Sequence, residues 1–582
     1  MTIYQIFTRL YGNPCSNNVT DGTIEQNGCA KLNGFSDAVL RRIKSDGYTH
    51  VWFTGLIEHA TQTDYSKFGI ARNHPAIVKG RAGSPYAIKD YYDIDPDLAV
   101  DVPKRMKEFE ELVKRTHKAG LKLVIDFVPN HVCREYHSDA APQGVESLGA
   151  KDNTSWHFST SNNFYYCWGE PLHTDFALRR DADEYPYIEQ PAKATGNDHF
   201  DAWPSKNDWY ETVKLNYGVD YCNAAGRSEH FDPIPSTWNK MLDILLFWCG
   251  KGVDAFRCDM AEMVPVAFWE WAINRVRKAY PSVKFIAEVY NPALYREYIH
   301  KGGFDYLYDK VGLYDTLRAL IRSEAPASAI TEKWQCVDDI RNHMLYFLEN
   351  HDEQRIASPD FCGDAHKAFP AFVTEAFMST NPLMVYAGQE IGEPADDAEG
   401  FSGRDGRTTI FDYWSPKKLQ KLFALGADGK VRKAALKSFE HTDYAGKELA
   451  LTAEEKALYN DYRRVISLRE SESALVFGLF YDLMYVNHDH SQKFDPAKHY
   501  AFLRRSEAQI LLIICNFSDD EAEMGVRIPE HAFEYLTIPQ GAFRSTDLLS
   551  GKSTTLSLHP DSYTQVKVPA RGAVCYNIPV EE

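Results

Sequence analysis

Four apolar runs that read as strands end in carboxylate or imidazole side chains. Each run and the residues that follow it are Leu121–Ile125 with Asp126–His131, Val253–Phe256 with Arg257–Asp259, Phe285–Ala287 with Glu288, and Tyr346–Leu348 with Glu349–Asp352. Facing carboxylates are the groups that general acid–base and nucleophilic catalysis draw on. If the strand ends converge on one mouth, three carboxylates can face one another there.

The elements that must position these groups alternate between amphipathic helices and short apolar strands. Three apolar stripes at helical spacing each precede a glycine and then a strand; they are Phe35–Ile43, Met106–Val113 and Met241–Leu246. This alternation is typical of a parallel sheet covered by helices. The other strand candidates are Ile3–Phe7, His50–Phe53, Phe304–Leu307 and Leu383–Tyr386. Eight strands indicate an α/β protein built on a closed (β/α)₈ TIM barrel.

Two segments break this alternation. From His131 to about Arg227 the chain is rich in Asn, Asp, Ser, Pro, Tyr and Trp, which predicts an irregular excursion after the third strand that shapes a cleft. After the helical pattern Ala453–Arg469, antiparallel strands are predicted at Tyr500–Leu503, Ile510–Asn516 and Val566–Val568. We therefore expect a barrel formed by residues 1–130 and 228–471, an excursion of residues 131–227, and a C-terminal all-β domain of residues 472–582.

Composition excludes several classes of function. The 582 residues are 44% hydrophobic and 25% charged, which is ordinary for a globular protein. The formal net charge of −18 opposes sequence-independent binding to nucleic acid or to anionic lipid, and neutral substrates fit better. Apolar runs fall well short of the ~20 residues that a membrane-spanning helix needs.

The cysteines and the start of the chain suggest a compartment. Eleven cysteines are scattered without a C-x-x-C pair, so neither a zinc module nor a disulfide framework is indicated. Met1 is followed at once by the strand-like run Ile3–Phe7, without the basic and apolar regions of a secretion signal. These features favour the cytoplasm, although a chain trimmed of its signal would look the same.

The charged motifs as a set resemble the α-amylase superfamily, glycoside hydrolase family 13. Four short motifs of that family occur in its order, at Asp126–His131, Gly252–Asp259, Ala287–Glu288 and Asn350–Asp352. Further similarity covers Gly83–Tyr86 with Asp90–Tyr92, Lys214–Tyr217 and Tyr386–Glu390. The resemblance spans the barrel from Met1 to about Arg469.

The resemblance implies a catalytic set of three carboxylates. It assigns Asp259 as nucleophile, Glu288 as general acid/base, and Asp352 as the carboxylate that binds and distorts the reacting sugar. Such enzymes cleave a glycosidic bond through a covalent glycosyl-enzyme and retain the anomeric configuration. Their nucleophile and acid lie ~5–5.5 Å apart.

The family pattern also implies substrate contacts and a metal. His131 and His351 match positions that donate hydrogen bonds to sugar hydroxyls, and Tyr86 matches a stacking platform. Asn130 matches a position that can ligate a structural Ca²⁺, whose other oxygen ligands would come from the excursion. The chemistry itself requires no cofactor.

Charged neighbours of the carboxylates complete the expected site. Arg257 precedes Asp259 by two residues and so lies on the same side of a strand, where its charge keeps the nucleophile anionic. Asp126 is expected to pair with Arg257 as structural support. Arg355 is expected to orient Asp352 or to contact the next sugar.

The chain departs from the family pattern after the nucleophile. Many α-amylases carry a Lys-His pair there, where this chain has Glu262 and Met263. Phe268-Trp269 instead resembles the neopullulanase branch, so the subfamily stays open. These side chains would lie on the leaving-group side, which leaves chain length, bond type and acceptor open. The N-terminal module with which many neopullulanases dimerise is not seen, so we expect a monomer.

The sequence therefore predicts a retaining α-glycoside hydrolase that cleaves α-1,4 bonds in starch-derived glucans or maltooligosaccharides. An α-glucosidase, a glucanotransferase or a phosphorolytic enzyme shares the same intermediate and remains an alternative. A non-enzymatic carbohydrate-binding protein on the same scaffold is a second alternative, against which the intact carboxylates and Arg257 speak.

Overall fold

The computed structural model of the protein describes residues 1–174, 186–439 and 449–580. Eight parallel strands close into a barrel in which β1 pairs with both β2 and β8. The strands are β1 (Thr2–Phe7), β2 (His50–Thr54), β3 (Lys122–Phe127), β4 (Ala255–Cys258), β5 (Lys284–Ala287), β6 (Tyr306–Tyr308), β7 (Met344–Phe347) and β8 (Leu383–Tyr386). All eight overlap the predicted strands, and the predicted barrel is confirmed.

Helices cover the outside of the barrel. The α-helices of five or more residues in the described ranges, of which the last lies between strands of the C-terminal part, are α1 (Asp37–Ser45), α2 (Arg105–Lys118), α3 (Ser236–Gly250), α4 (Val266–Ala279), α5 (Tyr295–His300), α6 (Asp315–Ile321), α7 (Ala329–Cys336), α8 (Phe369–Phe377), α9 (Lys417–Ala424), α10 (Lys433–Phe439), α11 (Ala453–Ser471), α12 (Ser473–Phe477) and α13 (Glu530–Leu536). None of the helices within the described ranges has the length and apolar character to cross a membrane.

Glycines end the helices where the sequence predicts. Gly47 follows α1 with φ +99°, a left-handed conformation that side chains disfavour. A Cβ at this position would lie 2.6 Å from Cγ2 of Ile466 on α11, so the turn also lets α11 pack closely. The chain can therefore reverse into β2 directly after the helix.

Alternation along the strands separates the barrel interior from the helix-facing layer. In β4, Ala255 belongs to the interior cluster that also contains Trp52 and Val124. The next residue, Phe256, faces outward and its ring centroid lies 5.6 Å from that of Phe285. Because successive side chains alternate, Arg257 lies on the interior side with Ala255, above it along the strand.

The chain between β3 and α3 follows the irregular path expected of the excursion. Its first strand, His131–Cys133, pairs antiparallel with Thr212–Lys214, and His131 and Thr212 of these two strands line the cavity at the barrel mouth. Of the predicted excursion, residues 175–185 lie outside the described residues.

The C-terminal part of the chain is an antiparallel sheet, as predicted. Its strands are β9 (Leu479–Asp482), β10 (His499–Ser506), β11 (Gln509–Asn516), β12 (Ala522–Arg527), β13 (Gly541–Asp547), β14 (Ser553–Leu558), β15 (Tyr563–Val568) and β16 (Gly572–Ile578). Six strands are ordered β9-β10-β11-β16-β13-β14, and β12 pairs with β15. The sheet packs on the barrel at α8, where the buried Arg504 guanidinium donates to the carbonyl of Phe377 at 2.6 Å.

Candidate active site

Strand register brings the two predicted catalytic carboxylates side by side. Cys258 of β4 is in register with Ala287 of β5, so Asp259 and Glu288 occupy the next position on neighbouring strands. The Glu288 amide donates to the carbonyl of Cys258 at 3.1 Å, which continues the ladder past the strand ends. The carboxyl ends of parallel strands meet at one mouth, as the barrel requires.

A cavity of about 330 Å³ opens at this mouth. Five predicted site residues line it: Tyr86, His131, Asp259, Glu288 and Asp352. The other lining residues are Ser84, Trp209, Glu211, Thr212, Met260, Tyr290, Ile410 and Phe411. The three predicted carboxylates therefore meet around one space, beside an apolar wall.

Arg257 is the buried cation that holds two of the carboxylates. One guanidinium nitrogen lies 2.7 Å from Oδ1 of Asp259, and the other lies 2.9 Å from Oε1 of Glu288. Asp126 lies 3.7 Å away, and the Arg257 Nε donates to the Tyr308 hydroxyl at 3.2 Å. Arg257 is fully buried and is not among the cavity-lining residues, so its contacts are with the carboxylates; a direct contact of Arg257 with the substrate, which the family pattern also implies, stays a prediction.

Asp259 is buried between the Arg257 guanidinium and a second carboxyl group. Burial raises the pKa of Asp259 well above its usual range, the Arg257 guanidinium lowers it, and the charge of Glu288 raises it again. Burial and the neighbouring carboxylate therefore oppose the ionisation of Asp259. Asp259 therefore retains its proton at a higher pH than an ordinary aspartate does, because its pKa is raised.

Glu288 is held by two donors that the sequence did not single out. The Tyr290 hydroxyl donates to Oε1 at 2.5 Å, and the Met260 backbone amide donates to Oε2 at 2.8 Å. Met260 has φ +43°, a strained conformation for a large side chain, and this bend directs its amide to Glu288. Tyr290 lies two residues after Glu288, and residues two apart in an extended chain lie on the same side. This spacing could have predicted Tyr290 as a neighbour of Glu288.

Asp352 remains open to the cavity and ionised. Its side chain is 39% exposed, and Oδ2 lies 3.1 Å from Nε2 of His351. Burial raises the pKa of Asp352, but His351, Arg257 and Arg407 outweigh that effect and bring it to about 2. His351 is itself fixed by Nε2 of Gln5, 2.8 Å from its Nδ1.

Tyr86 and His131 flank the carboxylates. The Tyr86 ring stacks on His351 with centroids 5.3 Å apart, and its hydroxyl contacts His351 and Asp126. Burial and the charge of Lys214 lower the pKa of His131 to about 3, so its imidazole is neutral at pH 7. His351 is not among the residues that line the main cavity and lines a smaller one behind Asp352.

Asp126 lies at the end of β3, beneath the cavity. Its Oδ2 accepts from Nε1 of Trp52 at 3.0 Å, and its Oδ1 faces Arg257 and the Tyr86 hydroxyl. Burial raises the pKa of Asp126, whereas the Arg257 charge lowers it. The structure thus places Asp126 under the site, in contact with Arg257.

Arg355 does not occupy the expected place. Its guanidinium is fully buried, donates to Glu349 at 2.8 Å and to Thr408 at 3.0 Å, and lies 3.8 Å from the ring centre of Tyr386. None of its described hydrogen bonds reaches Asp352. The chain turns inward after Asp352, so Arg355 braces the segment behind the mouth and does not orient Asp352 or face a sugar.

Asn130 does not fit the expected calcium ligand. Its Oδ1 accepts a hydrogen bond from Nζ of Lys214 at 2.6 Å, and its Nδ2 donates to the carbonyl of Gly196 at 2.7 Å. The oxygen that would bind Ca²⁺ is therefore already paired with an ammonium group.

One group of four carboxylates in the described part of the chain lies close enough together to hold a cation: Glu58, Asp90, Asp93 and Asp139. Asp90 accepts from Ser138 and from the amides of Asp139 and Ala140, while Glu58 lies 3.3 Å from Lys89. Both Glu58 oxygens are buried without a hydrogen-bond partner, and burial raises the pKa of Glu58 to about 8, so this carboxyl is protonated at pH 7. We assign no metal to the cluster.

Glu262, which departs from the family pattern, supports the acid-bearing segment. Its Oε2 accepts from the backbone amides of Tyr290 and Asn291 at 3.1 and 3.0 Å. The side chain is thus committed to the chain that follows Glu288.

Comparison with known proteins agrees with this architecture. A family model described as the α-amylase catalytic domain matches residues 5–287, a range that ends one residue before Glu288. The chain is 24% identical to Maltase A1 of Drosophila melanogaster over 257 residues, which cover 44% of this chain and 33% of that protein. It is 23% identical to Alpha-amylase 3 of Dictyoglomus thermophilum over 414 residues, which cover 68% of each.

A solved structure shares the fold over the whole length. A noncanonic maltogenic α-amylase from Thermotoga neapolitana aligns with a TM-score of 0.62 at 18% identity, covering 100% of this chain and 99% of that chain. The closed barrel and the C-terminal sheet agree with this match, and residues 5–287 of the chain belong to the α-amylase catalytic-domain family.

Proposed function

We propose that the protein is a retaining α-glycoside hydrolase that cleaves α-1,4-glucosidic bonds in starch-derived glucans or maltooligosaccharides. The observation that carries this proposal is the Arg257 guanidinium, which contacts Asp259 at 2.7 Å and Glu288 at 2.9 Å beside a substrate-sized cavity. Two carboxyls held by one cation are close neighbours, as double displacement with retention requires. The maltase and amylase relatives support the sugar class.

In the first step, Asp259 attacks the anomeric carbon while Glu288 gives its proton to the leaving glycosidic oxygen. The bond between that carbon and the leaving oxygen breaks, and its electron pair stays on the oxygen. An ester forms between Asp259 and the sugar, Glu288 becomes a carboxylate, and the leaving chain departs with a new hydroxyl group.

In the second step, Glu288 takes a proton from a water molecule whose oxygen attacks the same carbon. The ester bond breaks with its electron pair returning to Asp259. Both carboxyls regain their starting states, and two inversions leave the product in the α configuration.

The contacts around the pair support this division of roles. The step needs an ionised Asp259, and the 2.7 Å contact with Arg257 favours its charged form. The step also needs a proton on Glu288, whose contact with Arg257 is longer at 2.9 Å. Tyr290 and the amide of Met260 fix the Glu288 carboxyl from two sides.

The other cavity residues are proposed to bind the reacting sugar. Asp352 is partly exposed and its pKa is about 2, so it accepts hydrogen bonds from sugar hydroxyls as a carboxylate. The neutral imidazole of His131 contacts a hydroxyl, and the Tyr86 ring packs against the sugar face.

Product analysis tests the proposed reaction. Wild-type protein and the Asp259→Asn variant are incubated with soluble starch, maltotriose, pullulan and cyclodextrin, and ¹H NMR follows the first anomer released. We expect α-configured oligosaccharides from wild type and none from Asp259→Asn. The matched control is Asp243→Asn, which changes an exposed aspartate on α3 and keeps full activity. First products in the β configuration, or no turnover of any of the four, would overturn the proposal.

Transfer to a sugar acceptor is the second candidate function. An apolar wall of Trp209, Ile410 and Phe411 borders the carboxylates, and such a wall suits the face of an acceptor sugar. Products longer than the supplied maltotriose would identify a glucanotransferase, and glucose alone would identify an α-glucosidase.

Domain boundaries, compartment and assembly remain proposals. We divide the chain into a barrel of residues 1–130 and 228–471, an excursion of residues 131–227 and a β domain of residues 472–582. All eleven cysteines are free, which supports a reducing compartment such as the cytoplasm. A monomer is expected, and light scattering on the purified protein checks this.

A further inference from the structure

Lys214 is a buried cation at the junction of the excursion and the barrel. Its side chain is 2% exposed, although lysine is almost never buried without a partner. It ends the short strand Thr212–Lys214, which pairs with His131–Cys133. Something in the surroundings must therefore compensate the cost of removing its ammonium group from water.

Three oxygen atoms surround this ammonium group. Nζ lies 2.6 Å from Oδ1 of Asn130, 2.6 Å from Oδ1 of Asp198 and 3.3 Å from the backbone carbonyl of Met263. The ring of Tyr221 offers its face, with its centre 5.5 Å from Nζ. An ammonium group has three donors, so three acceptors satisfy it.

The three oxygens come from three different parts of the fold. Asn130 follows β3, Asp198 belongs to the excursion, and Met263 follows β4. An amide oxygen, a carboxylate and a backbone carbonyl are also the ligand types that Ca²⁺ takes in proteins. Lys214 thus lies among the kind of ligands that a structural metal would need to join the same segments.

Charge and ligand number distinguish the two cations. The lysine charge is balanced by the single carboxylate of Asp198, whereas a divalent ion there would retain one excess positive charge. Ca²⁺ takes ~6–8 oxygen ligands, and Lys214 contacts three. The arrangement therefore suits an ammonium group better than a calcium ion.

We infer that Lys214 is a tethered internal cation that takes the place of a structural metal and joins the excursion to the barrel without any divalent ion. The junction adjoins the cavity, because His131, Glu211 and Thr212 line it and flank Asn130 and Lys214 in the chain. The cavity wall next to this junction therefore needs no metal ion to fold. This inference concerns stability and holds whichever reaction the cavity supports.

Thermal unfolding with and without EDTA or CaCl₂ tests the inference. For wild type we expect the same Tm in all three conditions and less than one tenth of a Ca²⁺ equivalent by elemental analysis. Lys214→Ala should lower Tm by several degrees, and CaCl₂ should recover part of that loss in a concentration-dependent way, because the three oxygens remain around an emptied space.

Two further variants serve as controls. Lys214→Met keeps most of the side-chain volume without the charge, so it should lower Tm and show no recovery with CaCl₂. Lys206→Ala changes an exposed lysine of the same excursion and should leave Tm unchanged.

Three results would overturn the inference. They are a wild-type Tm that falls with EDTA, a wild-type Tm matched by that of Lys214→Ala, and a Lys214→Ala variant that does not respond to CaCl₂. The wild-type measurements decide the question even if the variants do not fold. Because none of these readouts is catalytic, failure here is distinct from failure of the proposed hydrolase activity.

Discussion

Replacing Arg257 by lysine probes the electrostatic centre of the site. The guanidinium contacts Asp259 at 2.7 Å and Glu288 at 2.9 Å through two different nitrogens. A lysine ammonium has no planar fork, so it pairs with only one of the two carboxylates. We expect the hydrogen bond to Asp259 to be lost, and a hydrogen bond to a charged group is worth ~1.5–3 kcal/mol. At ~1.36 kcal/mol per factor of ten, kcat/KM should fall by roughly 10- to 150-fold.

The variant should also change the pH dependence. Arg257 lowers the pKa of Asp259, so a weaker contact raises that pKa further. Because the reaction needs an ionised Asp259, the acid limb of kcat/KM against pH should move to higher pH. Initial rates on maltotriose across the pH range measure this shift.

Arg355→Lys is the matched control for Arg257→Lys. Arg355 is equally buried and pairs with a carboxylate, Glu349, at 2.8 Å, but its described contacts do not reach the cavity carboxylates. It should lower the melting temperature without moving the acid limb. If Arg257→Lys is folded and slower but its acid limb stays at the wild-type pH, the proposed role of Arg257 is wrong.

Three further outcomes are expected. Tyr86→Ala should raise KM for maltotriose by roughly tenfold, whereas Tyr86→Phe, which keeps the ring, should raise it much less; equal effects would contradict the stacking role. The pKa of His131 is about 3, so its ¹⁵N NMR signals should not titrate between pH 5 and 8, and a midpoint near 6.5 would be inconsistent with its buried position. Leu512→Ala in β11 should lower the free energy of unfolding by ~2–5 kcal/mol and leave kcat/KM unchanged; a loss of activity in the folded variant would instead link the C-terminal sheet to the site.

The barrel could be predicted because its signal is local and repeated. An apolar stripe at helical spacing, a glycine and an apolar strand follow one another along the chain. Each predicted strand overlaps an observed one. Boundaries were less accurate: the run Leu121–Ile125 is observed as Lys122–Phe127, because ladder pairing with β4 carries the strand through Asp126. Charged residues at a strand end do not by themselves end the strand.

The catalytic carboxylates could be predicted to converge, but their neighbours could not all be placed. Arg355 is three residues from Asp352, and that proximity in sequence misleads because the chain turns inward between them. Trp209 lines the cavity from an excursion without periodicity, so no pattern indicates its position. The contacts of Lys214 join segments far apart in sequence, and only tertiary structure brings them together.

Trapping the covalent intermediate tests the central claim most directly. Glu288→Gln incubated with α-maltosyl fluoride should form a maltosyl ester on Asp259, because fluoride leaves without a proton and the next step then lacks its base. Intact-protein mass spectrometry should show one added maltosyl group, and peptide mapping should locate it on Asp259. A label on another residue would contradict the account, as would an equal label in the Asp259→Asn/Glu288→Gln double variant.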